Sequence, residues 1–166
     1  VEPPQYAAEP GSPSLAVATS APLRMLFISP FSPLPQDAGQ RKRVHQTLRL
    51  LKDAGFSVTL LLYPFEGPWA WRYQGDIADQ LRAEYEDVLI LPAPRNIGAP
   101  PQHGTHHALD EWWDDLLASY LLRLFEIRYF DVVLVNNVWL SKLLTLAQPS
   151  VVKVIDMHDL FHRREI

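Results

Sequence analysis

The sequence contains no cysteine in 166 residues, and several other features are absent as well. Without cysteine the chain can form neither a disulfide nor a thiolate metal site, which is typical of a cytoplasmic protein. No apolar run approaches the roughly 20 residues of a membrane-spanning helix, and no signal-peptide pattern opens the chain. A net charge of −4 gives no general attraction to nucleic acid, so we expect no nucleic-acid partner.

The composition that remains is that of a folded domain. Hydrophobic residues make up 48% of the chain and charged residues 20%, and the length allows one domain with its own core. Residues 1–22 are rich in Pro, Ala and Ser without periodicity, so we predict a disordered tail or linker. Residues 23–166 are predicted to form the domain. Because the chain starts at Val1 and ends in "LFHRREI", we expect it to be a piece of a longer protein.

Short apolar runs alternate along the chain with segments of helical periodicity. The predicted strands are residues 23–29, 56–63, 87–94, 131–135 and 151–156, and the predicted helices are residues 41–55, 76–85, 105–130 and 138–147. The strands are apolar throughout rather than alternating, which indicates a parallel sheet covered on both faces. The pattern therefore predicts an α/β fold with helices on both faces of the sheet.

Ligands of open parallel sheets bind outside the carboxyl ends of the strands. After the first strand come a proline-rich loop, Gly39 and Gln40, and then a helix that opens with basic residues including Arg43. Free amides, the helix dipole and nearby cations suit a phosphate group. The segment is neither a GxGxxG fingerprint nor a P-loop. The alternative is that Gly39 is a turn residue and the basic residues form a solvated face.

Polar residues also follow the fourth and fifth strands. Asn136 and Asn137 come after the fourth strand, where they either contact a ligand or serve as turn and cap residues. Asp156 at the end of the fifth strand could cap a following helix. His158 and Asp159 would then lie at the mouth of the site, where an imidazole can donate to a sugar hydroxyl or stabilise a developing charge.

A second histidine cluster lies in "HGTHHALDEWWDD". His106 and Asp110 are four residues apart, so a metal pair is conceivable. No HExxH motif is present and the spacing fixes no third ligand. We therefore predict no metal, and we expect Thr105 to cap the helix instead.

Three segments together resemble the N-terminal domain of retaining GT-B glycosyltransferases of the glycogen-synthase-like and mannosyltransferase-like group. They are "LRMLFISPFSPLPQDAGQRKRVHQTLRLLKDAGFSVTLLLY", "FDVVLVNNVWLSKLL" and "VIDMHDLFHRR". The resemblance covers roughly residues 23–65 and 130–166, and residues 66–129 match no pattern of that group. "AGQ" has one glycine where many members of the group have two.

The resemblance implies a Rossmann-like domain that binds the acceptor, facing a C-terminal domain that binds the nucleotide sugar and carries a Glu-x7-Glu motif. It implies that Gly39, Gln40 and Arg43 approach the donor diphosphate, and that His158, with Asp159 beside it, contacts the transferred sugar. It makes a glycan or lipid-linked acceptor plausible, at the cytoplasmic membrane face. We predict that Asn136, Asn137, Trp69 and Trp71 bind this acceptor, since loop aromatics stack on sugars or lie among lipid headgroups.

Other functions fit the sequence less well. A receiver domain requires an Asp at the end of the third strand, and "DVLILPAP" has none there. A dehydrogenase would need the glycine fingerprint of dinucleotide binding. A non-catalytic α/β interaction or regulatory module remains as the alternative. We expect no cofactor, and the sequence does not indicate which sugar is transferred.

Overall fold

The structure, a computed structural model, describes residues 21–63, 76–91 and 113–157. The strands are β1 (Arg24–Ser29), β2 (Ser57–Leu62), β3 (Asp87–Ile90), β4 (Val132–Asn136) and β5 (Val152–Asp156). The helices are α1 (Gly39–Asp53), α2 (Asp76–Glu84), α3 (Asp115–Ile127) and a 3₁₀ helix (Val138–Leu146).

The five strands form one sheet in the order β3-β2-β1-β4-β5, and every neighbouring pair is parallel. The protein therefore has the Rossmann-like α/β fold that the apolar strands predicted. The chain builds outward from β1 to β3 and then crosses back to β4 on the other side of β1. Ile28 is in register with Val135, and Asn136 with Asp156, so β1, β4 and β5 end at the same edge of the sheet.

Helices cover both faces of the sheet because alternate strand residues point to opposite faces. On one face Val44 and Leu48 of α1 pack against Phe27 and Leu60, and Leu81 of α2 packs against Leu62. On the other face the core joins the apolar residues of α3, the 3₁₀ helix and the remaining strand positions, including Leu26, Ile28, Leu117, Leu121, Val135 and Leu140. Because β2 and β3 lie on one side of β1 and β4 and β5 on the other, right-handed crossovers place the two sets of helices on opposite faces.

Helix α1 ends at the glycine that the sequence indicates. Gly55 has a φ of 87°, its amide donates to Lys52 at 2.9 Å, and the amide of Phe56 donates to Leu51 at 3.1 Å. These two bonds make a Schellman motif, which satisfies carbonyls at the end of the helix. A residue with a Cβ disfavours this left-handed backbone, so Gly55 fixes where α1 stops.

Helix α3 differs from the prediction of one helix over residues 105–130. Its described part begins at Asp115, and Arg128 after it is already extended. Asp114 is the cap because its carboxylate accepts from the amides of Leu116 at 2.6 Å and Leu117 at 3.1 Å. A carboxylate that bonds these first amides holds its own backbone outside the helix. Thr105, the predicted cap, lies outside the described residues.

Candidate functional site

The candidate site lies where β1 and β4 are neighbours, since the strand order reverses between them. At such a switch point the loops after the two strands leave in opposite directions and open a crevice at the carboxyl edge. Ser29 ends β1 and Asn136 ends β4, and both side chains are fully buried. The topology thus brings together polar residues that are 107 positions apart in the chain.

Ser29 fixes the path of the chain as it leaves β1. Its hydroxyl accepts from the Phe31 amide at 3.0 Å and donates to the Phe31 carbonyl at 2.8 Å. The hydroxyl oxygen also lies 3.4 Å from Oδ1 of Asn136, a longer and weaker contact. Phe31 then packs edge-on against Trp139 with ring centroids 6.3 Å apart. The loop after β1 is therefore anchored across the switch point to the segment after β4.

Asp156 connects Asn136 to α1. The Asn136 carboxamide donates to Oδ2 of Asp156 at 3.0 Å, and Nη2 of Arg43 donates to Oδ1 at 3.0 Å. The Asp156 side chain is 18% exposed and that of Arg43 is 49% exposed. Asp156, the last residue of β5, therefore joins β4 to α1 through its carboxylate. The helix that Asp156 could cap lies outside the described residues.

Asn137 adopts a rare backbone conformation directly beside this cluster. Its φ is 89° and its ψ is 137°, and the residue is only 4% exposed. Its amide donates to the Asp156 carbonyl at 2.9 Å, and its carbonyl accepts from Leu140 at 3.2 Å. These backbone bonds join the end of β4 to β5 and start the 3₁₀ helix. They hold Asn137 in a region that non-glycine residues rarely occupy.

The start of α1 corrects the prediction that Gly39 lies in the loop, since Gly39 is the first helical residue. Ala38 precedes it, and no described side chain caps the amides of this first turn. A Cβ built on Gly39 would meet no atom within 4 Å, so the fold leaves room for a side chain at this position. A helix start whose cap residue has no capping side chain is a place where backbone amides can bind an anion.

The basic residues near the start of α1 are partly neutralised by carboxylates. Arg41 pairs with Asp37 at 3.4 Å, and Arg43 pairs with Asp156. Lys42 is exposed and pairs with no carboxylate among the described residues. The Arg43 guanidinium carries five N–H groups, and its contact with Asp156 is made through Nη2 alone. Arg43 therefore keeps further N–H donors.

A second polar pair lies along the same edge of the sheet. Tyr63, which follows β2 and is fully buried, donates its hydroxyl proton to Oδ2 of Asp114 at 2.6 Å. Burial raises the pKa of the Tyr63 hydroxyl, and the bond to the Asp114 carboxylate raises it further. Tyr63 therefore stays protonated and ties the end of β2 to the start of α3.

The remaining predicted residues lie outside the described parts of the chain. His158, Asp159, Trp69 and Trp71 belong to this group, as do His106 and Asp110 of the histidine cluster. In residues 21–63, 76–91 and 113–157, no group of three potential ligands is placed to hold a metal ion. None of the helices in these ranges is both long enough and apolar enough to span a membrane.

A cavity of about 190 Å³ lies at the opposite end of the sheet, lined by residues that include Leu48, Phe56, Val58 and Tyr85. Leu48 lies in the C-terminal half of α1, Phe56 and Val58 lie at the start of β2, and Tyr85 follows α2. Ligands of open parallel sheets bind at the carboxyl edge instead. We therefore assign the functional site to the polar cluster at the switch point.

Comparison with protein-family models, with curated proteins and with solved structures found no match to this chain. The predicted residues that the structure describes do lie at one edge: Asn136, Asn137 and Arg43 surround Asp156. The sequence interpretation missed the partnership of Arg43 with Asp156, because these residues are 113 positions apart and no local pattern connects them. The pairing depends on which strand ends become neighbours, and no sequence pattern indicates that.

Proposed function

We propose that this chain is the acceptor-side domain of a retaining glycosyltransferase, which moves a sugar from a nucleotide-sugar donor to a glycan or glycolipid. One observation carries the proposal: the polar residues of the three resembling segments meet in one cluster at the switch point of a parallel sheet. A Rossmann-like fold alone serves many functions, so the support comes from this cluster and from the resemblance.

The start of α1 supports a donor-diphosphate site. Ala38 provides no capping side chain and Gly39 has no Cβ, which would let a diphosphate approach the backbone closely. Arg43 lies one turn further on and retains N–H donors beyond those that Asp156 accepts. The C-terminal domain that the resemblance implies would supply the other donor contacts.

The position of Asp156 supports the roles proposed for His158 and Asp159. Asp156 lies in the cluster, so the chain leaves β5 at the edge of the crevice, two residues before His158. The proposed role of His158 is to contact the sugar being transferred. Trp69 and Trp71 are proposed to meet the acceptor or the headgroups of the cytoplasmic membrane face.

The proposal is tested with the parent protein by assaying transfer from a panel of nucleotide sugars to glycan and glycolipid acceptors. We expect transfer from one donor, and His158→Ala should lower turnover roughly 10²-fold at an unchanged melting temperature. The 166-residue chain alone should bind UDP and GDP only weakly in calorimetry. Absence of transfer with every donor, or full turnover in the His158 variant, would contradict the proposal.

A non-catalytic α/β interaction module remains the second candidate. The observation in its favour is that Arg41 and Arg43 both face carboxylates, as expected of ion pairs that only join secondary-structure elements. The same assay separates the two functions, since an interaction module would transfer no sugar from any donor.

A further inference from the structure

The two adjacent asparagines at the end of β4 have different surroundings. Both ends of the Asn136 carboxamide face partners inside the fold: Nδ2 donates to Asp156 at 3.0 Å, and Oδ1 lies 3.4 Å from the Ser29 hydroxyl. The Asn137 carboxamide hydrogen-bonds to none of the described residues. Its nitrogen and oxygen atoms are not among the described side-chain atoms that are fully buried without a hydrogen-bond partner. Asn137 is only 4% exposed, so its carboxamide is a nearly buried polar group with no hydrogen-bond partner among the described residues.

The backbone of Asn137 is held in place although its conformation is unfavourable. At a φ of 89° and a ψ of 137° a side chain is strained, and glycine would relieve that strain. Strained residues of this kind concentrate at ligand sites, where the surrounding structure enforces them. Here the bonds from the Asn137 amide to Asp156 and from Leu140 to the Asn137 carbonyl enforce it. The presence of asparagine at a position whose backbone conformation suits glycine is explained if the side chain binds a ligand.

The charge around Asn137 indicates the class of ligand. The charged side chains of the cluster are Arg43 and Asp156. They form an ion pair in which Nη2 of Arg43 lies 3.0 Å from Oδ1 of Asp156, so their charges neutralise each other. A carboxamide offers both a donor and an acceptor without charge. A hydroxyl group likewise donates and accepts, so a neutral polyhydroxyl group fits this position better than a phosphate does.

We infer that Asn137 directly hydrogen-bonds a hydroxyl group of the sugar acceptor, whereas Asn136 is a positioning residue that holds Asp156 and Ser29. This division between the asparagines rests on the proposed function, because it assigns the sugar hydroxyls to β4 and leaves the diphosphate to the start of α1.

The test measures neutral sugars and a free anion separately on the parent protein. Saturation-transfer NMR follows methyl α-glucoside, methyl α-mannoside and methyl β-galactoside, and ³¹P line broadening follows inorganic pyrophosphate. Asn137→Gly should keep or raise the melting temperature, weaken glycoside binding at least tenfold, and leave pyrophosphate binding unchanged. Asn136→Ala should instead lower the melting temperature. Gln148→Gly is the control, since it removes an exposed carboxamide just before β5, at the other end of the sheet.

Some results would overturn the assignment. Glycoside binding that is equal in the wild type and in Asn137→Gly, or that the wild type lacks for all three glycosides, would show that Asn137 does not contact a sugar. Sugar transfer with an unchanged acceptor KM in Asn137→Gly would refute this inference while the proposed function stands. Conversely, Asn137-dependent glycoside binding in a protein that transfers no sugar would support the inference and refute the proposed function.

Discussion

Gly39 stands at the first position of α1, where neither the backbone nor the surrounding atoms require a glycine. Its φ is not positive, and a methyl group there would meet no atom within 4 Å. Alanine favours a helix interior over glycine by about 1 kcal/mol, and at the first position the gain is smaller. The fold alone therefore gives no reason for glycine at this position, whereas a diphosphate against the backbone would.

We predict that Gly39→Ala leaves the melting temperature unchanged or slightly higher while raising the donor KM of the parent protein roughly tenfold or more. Gly55→Ala is the matched control, since Gly55 has a φ of 87° and equally open surroundings. That variant should lose about 1 kcal/mol of unfolding free energy, with the donor KM unchanged. If Gly39→Ala kept its donor KM, no ligand would approach the helix start closely.

At the scale of secondary-structure elements, the sequence predicted the type and order of each described helix and strand. Apolar runs and helical spacing are local signals, and the Gly55 stop is a local signal as well. The predicted start of α3 was wrong because "WWDD" continues an apolar helical pattern, which does not indicate that Asp114 caps the helix. The sequence also did not show that β5 lies at the edge of the sheet. Val152 and Ile155 are apolar residues typical of a buried strand, yet they are 58% and 44% exposed.

Asp114 caps α3 with one carboxylate oxygen and accepts a hydrogen bond from Tyr63 with the other. Oδ1 accepts from the amides of Leu116 and Leu117, and Oδ2 accepts from Tyr63. Asp114→Ala should therefore lower the unfolding free energy by about 2 kcal/mol or more in urea titrations, because a cap is lost and a buried hydroxyl loses its bond. Asp114→Asn should lose less than half as much, since asparagine caps helices equally well. Equal losses in both variants would mean that capping contributes little here.

At the scale of the whole molecule, the site follows from the strand order. Sequence patterns predicted a parallel sheet and polar strand ends, which is why Asn136, Asn137 and Arg43 could be named in advance. They could not predict which strand ends become neighbours, because strand order depends on long-range packing. The order β1-β4-β5 makes the polar ends of these three strands neighbours along the carboxyl edge.

The same order predicts how stability is distributed across the sheet. β1 lies between β2 and β4, and all but its first residue are buried, whereas all five residues of β5 are exposed or half-buried. Among the described strands, β5 pairs with β4 alone. We therefore expect amide hydrogen exchange, followed by mass spectrometry or NMR, to be slowest in β1 and β4 and at least tenfold faster in β5. Arg43→Ala should speed exchange near Asp156 and leave β1 unaffected, because this ion pair joins the end of β5 to α1. If β5 exchanged as slowly as β1, stability would not follow burial in this sheet, and the crevice would be bordered by a strand as rigid as the core.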